Sequence, residues 1–214
     1  MKSLLVKDFS LMLQRGRILL FLVIWGVGMT FVMDSSSFVV GWIVCIAAIT
    51  SLSTISYDEY DNCMPFLLSL PVTRRGYAVE KYLFSVIFGV GFWILSLGIV
   101  AVCGLFNGKS FSLAKDLPGM VVILALIFFI LAVSIPPQLK WGAEKGRIVM
   151  LLIYAVFGAG AFLLSRFGDN FSGMGERLSA LPMWGVIWGV LGLCSVLTVL
   201  SALISMRIME KKEF

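Results

Sequence analysis

Long apolar stretches without a charged residue alternate along the chain with short charged segments. Six such stretches are present, at residues 18–33, 38–56, 82–106, 117–135, 148–165 and 183–206. A helix needs about 20 residues to cross a hydrocarbon layer of about 30 Å, a length that each stretch meets or approaches. The apolar residues are continuous and do not alternate with polar ones, so the pattern predicts helices and not barrel strands.

The composition agrees with a protein that lies in lipid. Apolar residues make up 60% of the 214 residues and charged residues 14%, with a mean hydropathy of +1.01. Water-soluble domains average about 45–50% apolar and about 25% charged residues. The predicted spans use nearly all the apolar positions and leave no material for a soluble domain. We therefore expect an all-α integral membrane protein with six transmembrane helices in one domain, residues 1–214.

The positive charges are distributed unevenly between the segments that join the spans. With the N-terminus in the cytoplasm, 13 of the 17 lysine and arginine residues lie inside and four lie outside. The outside residues are Lys109, Lys115, Arg166 and Arg177. Because cytoplasmic segments carry an excess of lysine and arginine, this distribution predicts that both termini are cytoplasmic. The net charge of +5 then reflects membrane orientation and not nucleic-acid binding.

Residues 1–17 precede the first span and mix charged with apolar side chains. The apolar positions share one face of a helix: Leu5, Phe9 and Met12. Lys7, Asp8 and Arg15 fall elsewhere on that helix. The pattern predicts an amphipathic interfacial helix in the lipid headgroup layer that bends into the first span. A frayed cytoplasmic tail is the alternative, because the pattern repeats over few turns.

The segment 57–81 is the longest expected cytoplasmic loop. It begins with the acidic sequence 57–62, continues with the apolar run 64–71, and ends with two arginines after Thr73. Thr73 fits the cap of a helix that follows it. The apolar run is too short to cross a bilayer, so it has to bury itself in the headgroup layer or against a protein partner. An interfacial or re-entrant loop without a partner is the alternative.

Prolines and glycines indicate breaks and contacts in the later helices. Pro136 and Pro137 are expected to end the fourth helix and to begin the second cytoplasmic loop, 136–147, because proline inside a helix removes a hydrogen bond. Gly185 and Gly189 have the spacing that lets two helices approach closely, either within the chain or across a dimer.

The residue types exclude several kinds of catalytic chemistry. The chain has no histidine, which removes histidine metal sites and the serine–histidine and cysteine–histidine nucleophile pairs. The segment 104–110 resembles a phosphate-binding loop, but it lacks one residue of the required spacing and follows a span instead of a strand. Asp58, Glu59 and Asp61 offer carboxylates for a divalent cation, but an acidic helix end is favoured because no further oxygen-rich loop completes the ligand set. We expect no catalytic residue, metal or cofactor in this chain, so any ATP-driven work needs a second polypeptide.

The polar content of the spans limits the kinds of molecule that a pathway through them would suit. The predicted spans contain no Asp, Glu, Lys or Arg, so an ion-driven pump would have little to titrate. A pathway through them would be lined by Met, Phe, Trp, Ser, Thr and Gly. Such a lining suits an amphipathic or lipid-like cargo better than a small ion.

Two loop motifs resemble those of a known family. The first loop contains, in order, Asp58-Glu59, Leu67-Leu68-Ser69-Leu70-Pro71-Val72-Thr73-Arg74-Arg75 and Lys81-Tyr82. The second loop contains Lys140-Trp141-Gly142-Ala143-Glu144-Lys145-Gly146-Arg147. Together with the six spans, these motifs resemble ABC-2-type transporter permeases, and they are most similar to bacterial peptide-exporter permeases of the phenol-soluble modulin exporter kind. Tyr60 departs from the basic residue often found after the acidic pair.

The resemblance implies the transmembrane subunit of an ATP-driven exporter of amphipathic peptides or other hydrophobic molecules in the bacterial plasma membrane. A second permease chain, expected to be an identical copy, would pair with it, and cytoplasmic ATPase subunits would bind ATP and Mg. The residues expected to contact the ATPase are Asp58, Glu59, Leu67, Leu68, Leu70, Pro71, Arg74 and Arg75 in the first loop. In the second loop they are Lys140, Trp141, Glu144 and Arg147. An ATP-independent membrane transporter or assembly scaffold is the alternative.

Overall fold

The computed structural model describes residues 2–33, 35–59, 64, 73–106, 113–166 and 183–212. All regular elements within these ranges are helices. In chain order they are α1 (Lys2–Gln14), α2 (Gly16–Val32), α3 (Ser36–Glu59), α4 (Arg74–Phe106), α5 (Leu113–Arg166) and α6 (Met183–Lys211).

Four of the described helices are long and apolar enough to cross a membrane: Ser36–Glu59, Arg74–Phe106, Asp116–Gly142 and Trp184–Lys211. A fifth is obtained if Ser3–Gln14 and Gly16–Val32, which meet at an angle of 65°, together form one bent span. The predicted bend between the N-terminal segment and the first apolar stretch is therefore present. These helices support the prediction of an all-α integral membrane protein.

The helices α3 and α4 lie at the centre of the described packing. α3 contacts α2, α4 and α5, and α4 contacts all five other described helices. α5 also packs along α6. Of the four long spans, α3 is the most buried and α6 the least. The shared core includes Ile43 of α3, Tyr77 of α4 and Leu131 of α5, each with almost no exposed surface. The single described residue between α3 and α4, Met64, also belongs to this core.

The expectation that Pro136 and Pro137 end a helix is wrong, because α5 continues through both residues. A proline at 136 has no N–H to donate to the carbonyl of Ala132, four residues earlier. The Oγ of Ser201 on α6 donates to that carbonyl instead, at 2.5 Å. A partner that is distant in the sequence thus satisfies the group that the proline leaves unpaired, and the helix continues.

The break in α5 falls at Gly142, where φ is +82°. Residues that carry a Cβ rarely adopt this backbone conformation, so glycine suits the position. Gly146 lies just beyond the break, where an added Cβ would be only 2.7 Å from the Cα of Gln138. The two arms of α5 therefore fold closely against each other. The predicted span 148–165 lies in the second arm.

A helix is present at the N-terminus as α1, but its buried face differs from the predicted one. Leu4, Asp8 and Met12 are buried at 4%, 0% and 1% exposure, whereas Phe9 is 36% exposed. The prediction that Asp8 lies away from the packed face is wrong. Its burial is explained by two cationic partners, Lys81 on α4 and Lys7 on α1 itself.

Candidate functional site

The middle of α1, the end of α3 and the start of α4 meet around a buried cation. Lys81 is fully buried although it carries an ammonium group. Its Nζ donates to a carboxylate oxygen of Asp8 on α1 and lies 2.7 Å from Oδ2 of Asp58 on α3. It also donates to Oγ1 of Thr54 at 3.4 Å. One side chain therefore joins three helices.

The carboxylate of Asp58 is the second junction of this group. Its Oδ1 accepts a hydrogen bond from Nζ of Lys7 at 2.5 Å, and its Oδ2 accepts one from the hydroxyl of Tyr77 at 3.0 Å. Lys7 also lies 3.2 Å from Oδ1 of Asp8. We call Lys7, Asp8, Asp58, Tyr77 and Lys81 the buried charge cluster. Its two ammonium groups face two carboxylates, which offsets much of the cost of removing the charges from water.

Glu80 adds a third carboxyl group beside the buried charge cluster. It is 1% exposed, and its Oε2 lies 4.0 Å from Nζ of Lys81. Neither of its oxygens accepts a hydrogen bond from the part of the chain that the structure describes. A buried polar group without a partner is unfavourable, so Glu80 is a candidate functional residue.

A second group of contacts lies where α3, α5 and α6 end or break. Nζ of Lys212 lies 3.4 Å from Oε1 of Glu59 and donates to the carbonyl of Leu139 at 2.9 Å. A Cβ added to Gly142 would be 3.0 Å from Oε2 of Glu59, so glycine also leaves room for this carboxylate.

The start of α4 is attached to the end of α6 by its two arginines. Thr73 caps α4 as predicted, because its Oγ1 accepts the N–H of Gly76 at 3.1 Å. Arg74 donates to the carbonyls of Glu210 and Lys212 at 3.3 and 2.8 Å, and Arg75 forms an ion pair with the Glu210 carboxylate. Arginine here satisfies carbonyls that a helix C-terminus leaves unpaired.

Polar contacts continue from this end along α4. The hydroxyl of Tyr82 lies 2.6 Å from Oγ of Ser201 and 2.9 Å from Oγ of Ser205, both on α6. Ser201 in turn bonds the carbonyl of Ala132 on α5. Three long helices are therefore linked by a short chain of hydrogen bonds.

The structure places the sequence-predicted site residues in different surroundings. It brings Asp58 and Glu59 to the end of α3 and Arg74 and Arg75 to the start of α4, with 60–72 between them. Asp58 is 5% exposed and points into the buried charge cluster. Four other predicted residues lie outside the described residues: Leu67, Leu68, Leu70 and Pro71.

The predicted residues of the second loop lie at the break in α5. Nζ of Lys140 lies 4.6 Å from the ring centroid of Trp141, a cation–π distance. Trp141 and Glu144 are exposed. Arg147 is also exposed and donates to Oγ of Ser56 on α3 at 3.4 Å.

Sequence reasoning missed the roles of Lys7, Asp8, Tyr77 and Glu80. A signal was present for Asp8, because it lies midway between Leu4 and Met12 at a spacing of four residues, on one helical face. For Glu80, the burial of most of the residues from 76 to 82 of α4 was not visible in the local pattern.

Comparison with known proteins identifies one family. A sequence model of the family described as ABC-2 family transporter protein matches residues 3–210, nearly the whole chain. No curated protein and no solved structure gives a match.

Proposed function

This chain belongs to the ABC-2 family of transporter proteins, and on that premise we propose that it is the membrane subunit of an ATP-driven exporter, powered by a separate cytoplasmic ATPase. ATP binding and hydrolysis are assigned to the ATPase, together with Mg. We propose that the cargo is an amphipathic peptide or another hydrophobic molecule, and that the chain is similar to exporters of the phenol-soluble modulin kind.

The observation that supports ATP coupling is the attachment of both ends of the segment 60–72. On one side, Glu59 contacts Lys212, and on the other, Arg74 binds the carbonyls at the end of α6. The neighbouring residue Asp58 is bound to Lys7 and Lys81. A force applied to 60–72 by a partner would therefore act on α1, α3, α4 and α6 together.

We assign the contact with the ATPase to the apolar residues Leu67, Leu68, Leu70 and Pro71. Apolar anchors in a cleft supply most of the affinity of a small interface, and charges at its rim fix the orientation. Arg75 is 69% exposed even though it contacts Glu210, so it is accessible for such an orienting role. The exposed residues Trp141, Glu144 and Arg147 form a second contact in this proposal.

The proposed topology has six spans and cytoplasmic termini in the bacterial plasma membrane. In this arrangement the second arm of α5 forms the fifth span, and the bent pair α1–α2 supplies an interfacial helix and the first span. The buried charge cluster, the break in α5 and the end of α6 then all lie at the cytoplasmic side. The excess of positive charge in the segments on that side supports this orientation.

We further propose that two copies of the chain pair in the membrane. A Cβ added to Gly189 or Gly192 of α6 would meet no atom of the described residues within 4 Å. The small residues of this helix therefore leave space that no described part of the chain occupies. Close helix contacts in membranes are enriched in such small residues, which favours a second copy.

The experiment that tests the function compares full-length variants purified from membranes of the native host. Leu68→Asp with Leu70→Asp places two charges in the proposed anchor, whereas Leu105→Asp places one charge at the far end of α4, at an 84%-exposed position. We expect the wild type and Leu105→Asp to co-purify with a subunit that hydrolyses ATP. The double variant is expected to insert into membranes and to lose that hydrolysis. Hydrolysis by the purified chain alone, or equal hydrolysis from the double variant, contradicts the proposal.

A further inference from the structure

A cavity of about 490 Å³ lies between the break in α5 and the end of α6. Among the described residues, its lining combines four cationic side chains with two isoleucines. They are Lys140, Ile204, Arg207, Ile208, Lys211 and Lys212.

Three of the four cations at this cavity have no carboxylate partner among the described residues. Arg207 and Lys211 are four residues apart on α6, where like charges repel each other. Together with Lys140, they form no ion pair with a carboxylate in the described ranges, and the nearby Glu210 is paired with Arg75. Of the lining cations, Lys212 contacts Glu59 at 3.4 Å. The C-terminus of a helix offsets only about half a positive charge. The cavity is therefore suited to an anion.

The remaining wall of the cavity is continuous with an apolar surface. Ile204 is 55% exposed, and Leu200, one turn earlier on α6, and the adjacent Leu203 are each 49% exposed. Since α6 is long and apolar enough to span a membrane, this face is suited to hydrocarbon. A ligand at the cavity would thus meet cations at one end and an apolar helix face at the other.

We propose that this cavity binds an anionic glycerophospholipid, with the phosphate on Arg207, Lys211 and Lys140 and an acyl chain along Ile204. Basic pockets between membrane helices are known sites for anionic headgroups. Inorganic phosphate carries negative charge as the headgroup does, but it has no apolar part that could contact the apolar wall. The proposal concerns lipid binding by this chain alone and does not depend on the ATPase.

The test uses the full-length protein, delipidated in detergent, and follows lipid binding by native mass spectrometry. The probes are phosphatidylglycerol, phosphatidylcholine and inorganic phosphate. We expect phosphatidylglycerol to bind more tightly than phosphatidylcholine and to raise the midpoint of thermal unfolding, whereas inorganic phosphate at the same concentration does neither.

The variants separate the cavity from general charge effects. Each basic residue contributes about 1 kcal/mol to contact with an anionic lipid, so Arg207→Gln with Lys211→Gln is expected to weaken phosphatidylglycerol binding about thirtyfold. Lys145→Gln removes an exposed cation that does not line the cavity and should leave binding unchanged. Arg207→Lys keeps the charge and should retain most of the binding, which shows that the position tolerates substitution.

Three results would overturn the proposal. One is equal binding of phosphatidylglycerol and phosphatidylcholine. Another is an effect of inorganic phosphate as large as that of the anionic lipid, which would identify a phosphate site instead. The third is undiminished binding by the double glutamine variant when its elution volume matches that of the wild type.

Discussion

Nζ of Lys81 lies 2.7 Å from Oδ2 of Asp58, and the two side chains are 0% and 5% exposed. This ion pair joins the start of α4 to the end of α3, and Asp8 extends it to α1. Burying any one of these charges without its partners would cost free energy. The three helices are therefore held in the arrangement that keeps the charges paired. Since the pair brackets the segment 60–72, it bears both on stability and on the proposed transmission of force.

Replacing the buried cation should be strongly destabilising. Lys81→Met leaves the carboxylates of Asp8 and Asp58 with one ammonium group, so we expect a loss of about 3–5 kcal/mol in the free energy of unfolding. Lys145→Met, at an exposed position, should cost less than about 1 kcal/mol. Thermal unfolding of the purified protein in detergent measures both. Adding Asp8→Asn to Lys81→Met restores the balance of charges and should recover part of the loss, and an absence of recovery argues against direct coupling.

Removing the carboxyl group of Glu80 should have the opposite effect on stability. When Glu80 is counted with the buried charge cluster, three carboxyl groups lie near two ammonium groups. The carboxyl oxygens of Glu80 accept no hydrogen bond among the described residues. Glu80→Gln keeps the shape and removes the acid, so we expect the free energy of unfolding to rise by roughly 1 kcal/mol. The same unfolding assay measures it. A clear fall in stability would show that the acid has a partner that favours it.

Helix propensity alone predicts that alanine at position 142 stabilises the protein, whereas the backbone conformation there predicts the opposite. Alanine there would adopt φ near +82° and place its Cβ about 3.0 Å from the Glu59 carboxylate. We expect Gly142→Ala to cost at least about 1–2 kcal/mol. Gly158→Ala is the matched control, because Gly158 lies in the same helix and a Cβ added there meets no atom of the described residues within 4 Å. It should gain about 0.5–1 kcal/mol. Equal responses of the two glycines to alanine would contradict the account of the break.

The hydrogen bond from Ser201 to the carbonyl of Ala132 should depend on Pro136. Ser201→Ala removes the donor and is expected to cost about 1–2 kcal/mol in the wild type. In a Pro136→Ala background, the new N–H can bond the same carbonyl, so the cost of Ser201→Ala should fall. A double-mutant cycle of unfolding free energies measures the difference. Equal costs in both backgrounds would mean that serine does not replace the lost bond.

Much of the helical architecture was predictable because the apolar stretches are long and free of charge. The predicted stretch 38–56 corresponds to Ser36–Glu59, and 183–206 to Met183–Lys211. The capping of α4 by Thr73 was also predictable, since it depends on neighbouring residues.

The errors have a common physical origin in contacts that are distant along the chain. The continuation of α5 through Pro136 depends on Ser201, and the burial of Asp8 depends on Lys81, which is 73 positions away. Neither partner is visible in a local pattern of apolar and polar residues. For the same reason, the joining of Glu59 and Arg74 through the end of α6 was not predicted, although both residues were named as site candidates.

The central claim is that a separate ATPase acts on the segment 60–72, and a photocrosslink from Leu68 tests it most directly. A photoreactive amino acid is placed at position 68 of the full chain in the native host, and at position 105 as the control. After irradiation, the account predicts a covalent adduct between position 68 and an ATP-hydrolysing subunit, and none from position 105. Adducts of position 68 with lipid alone would contradict it.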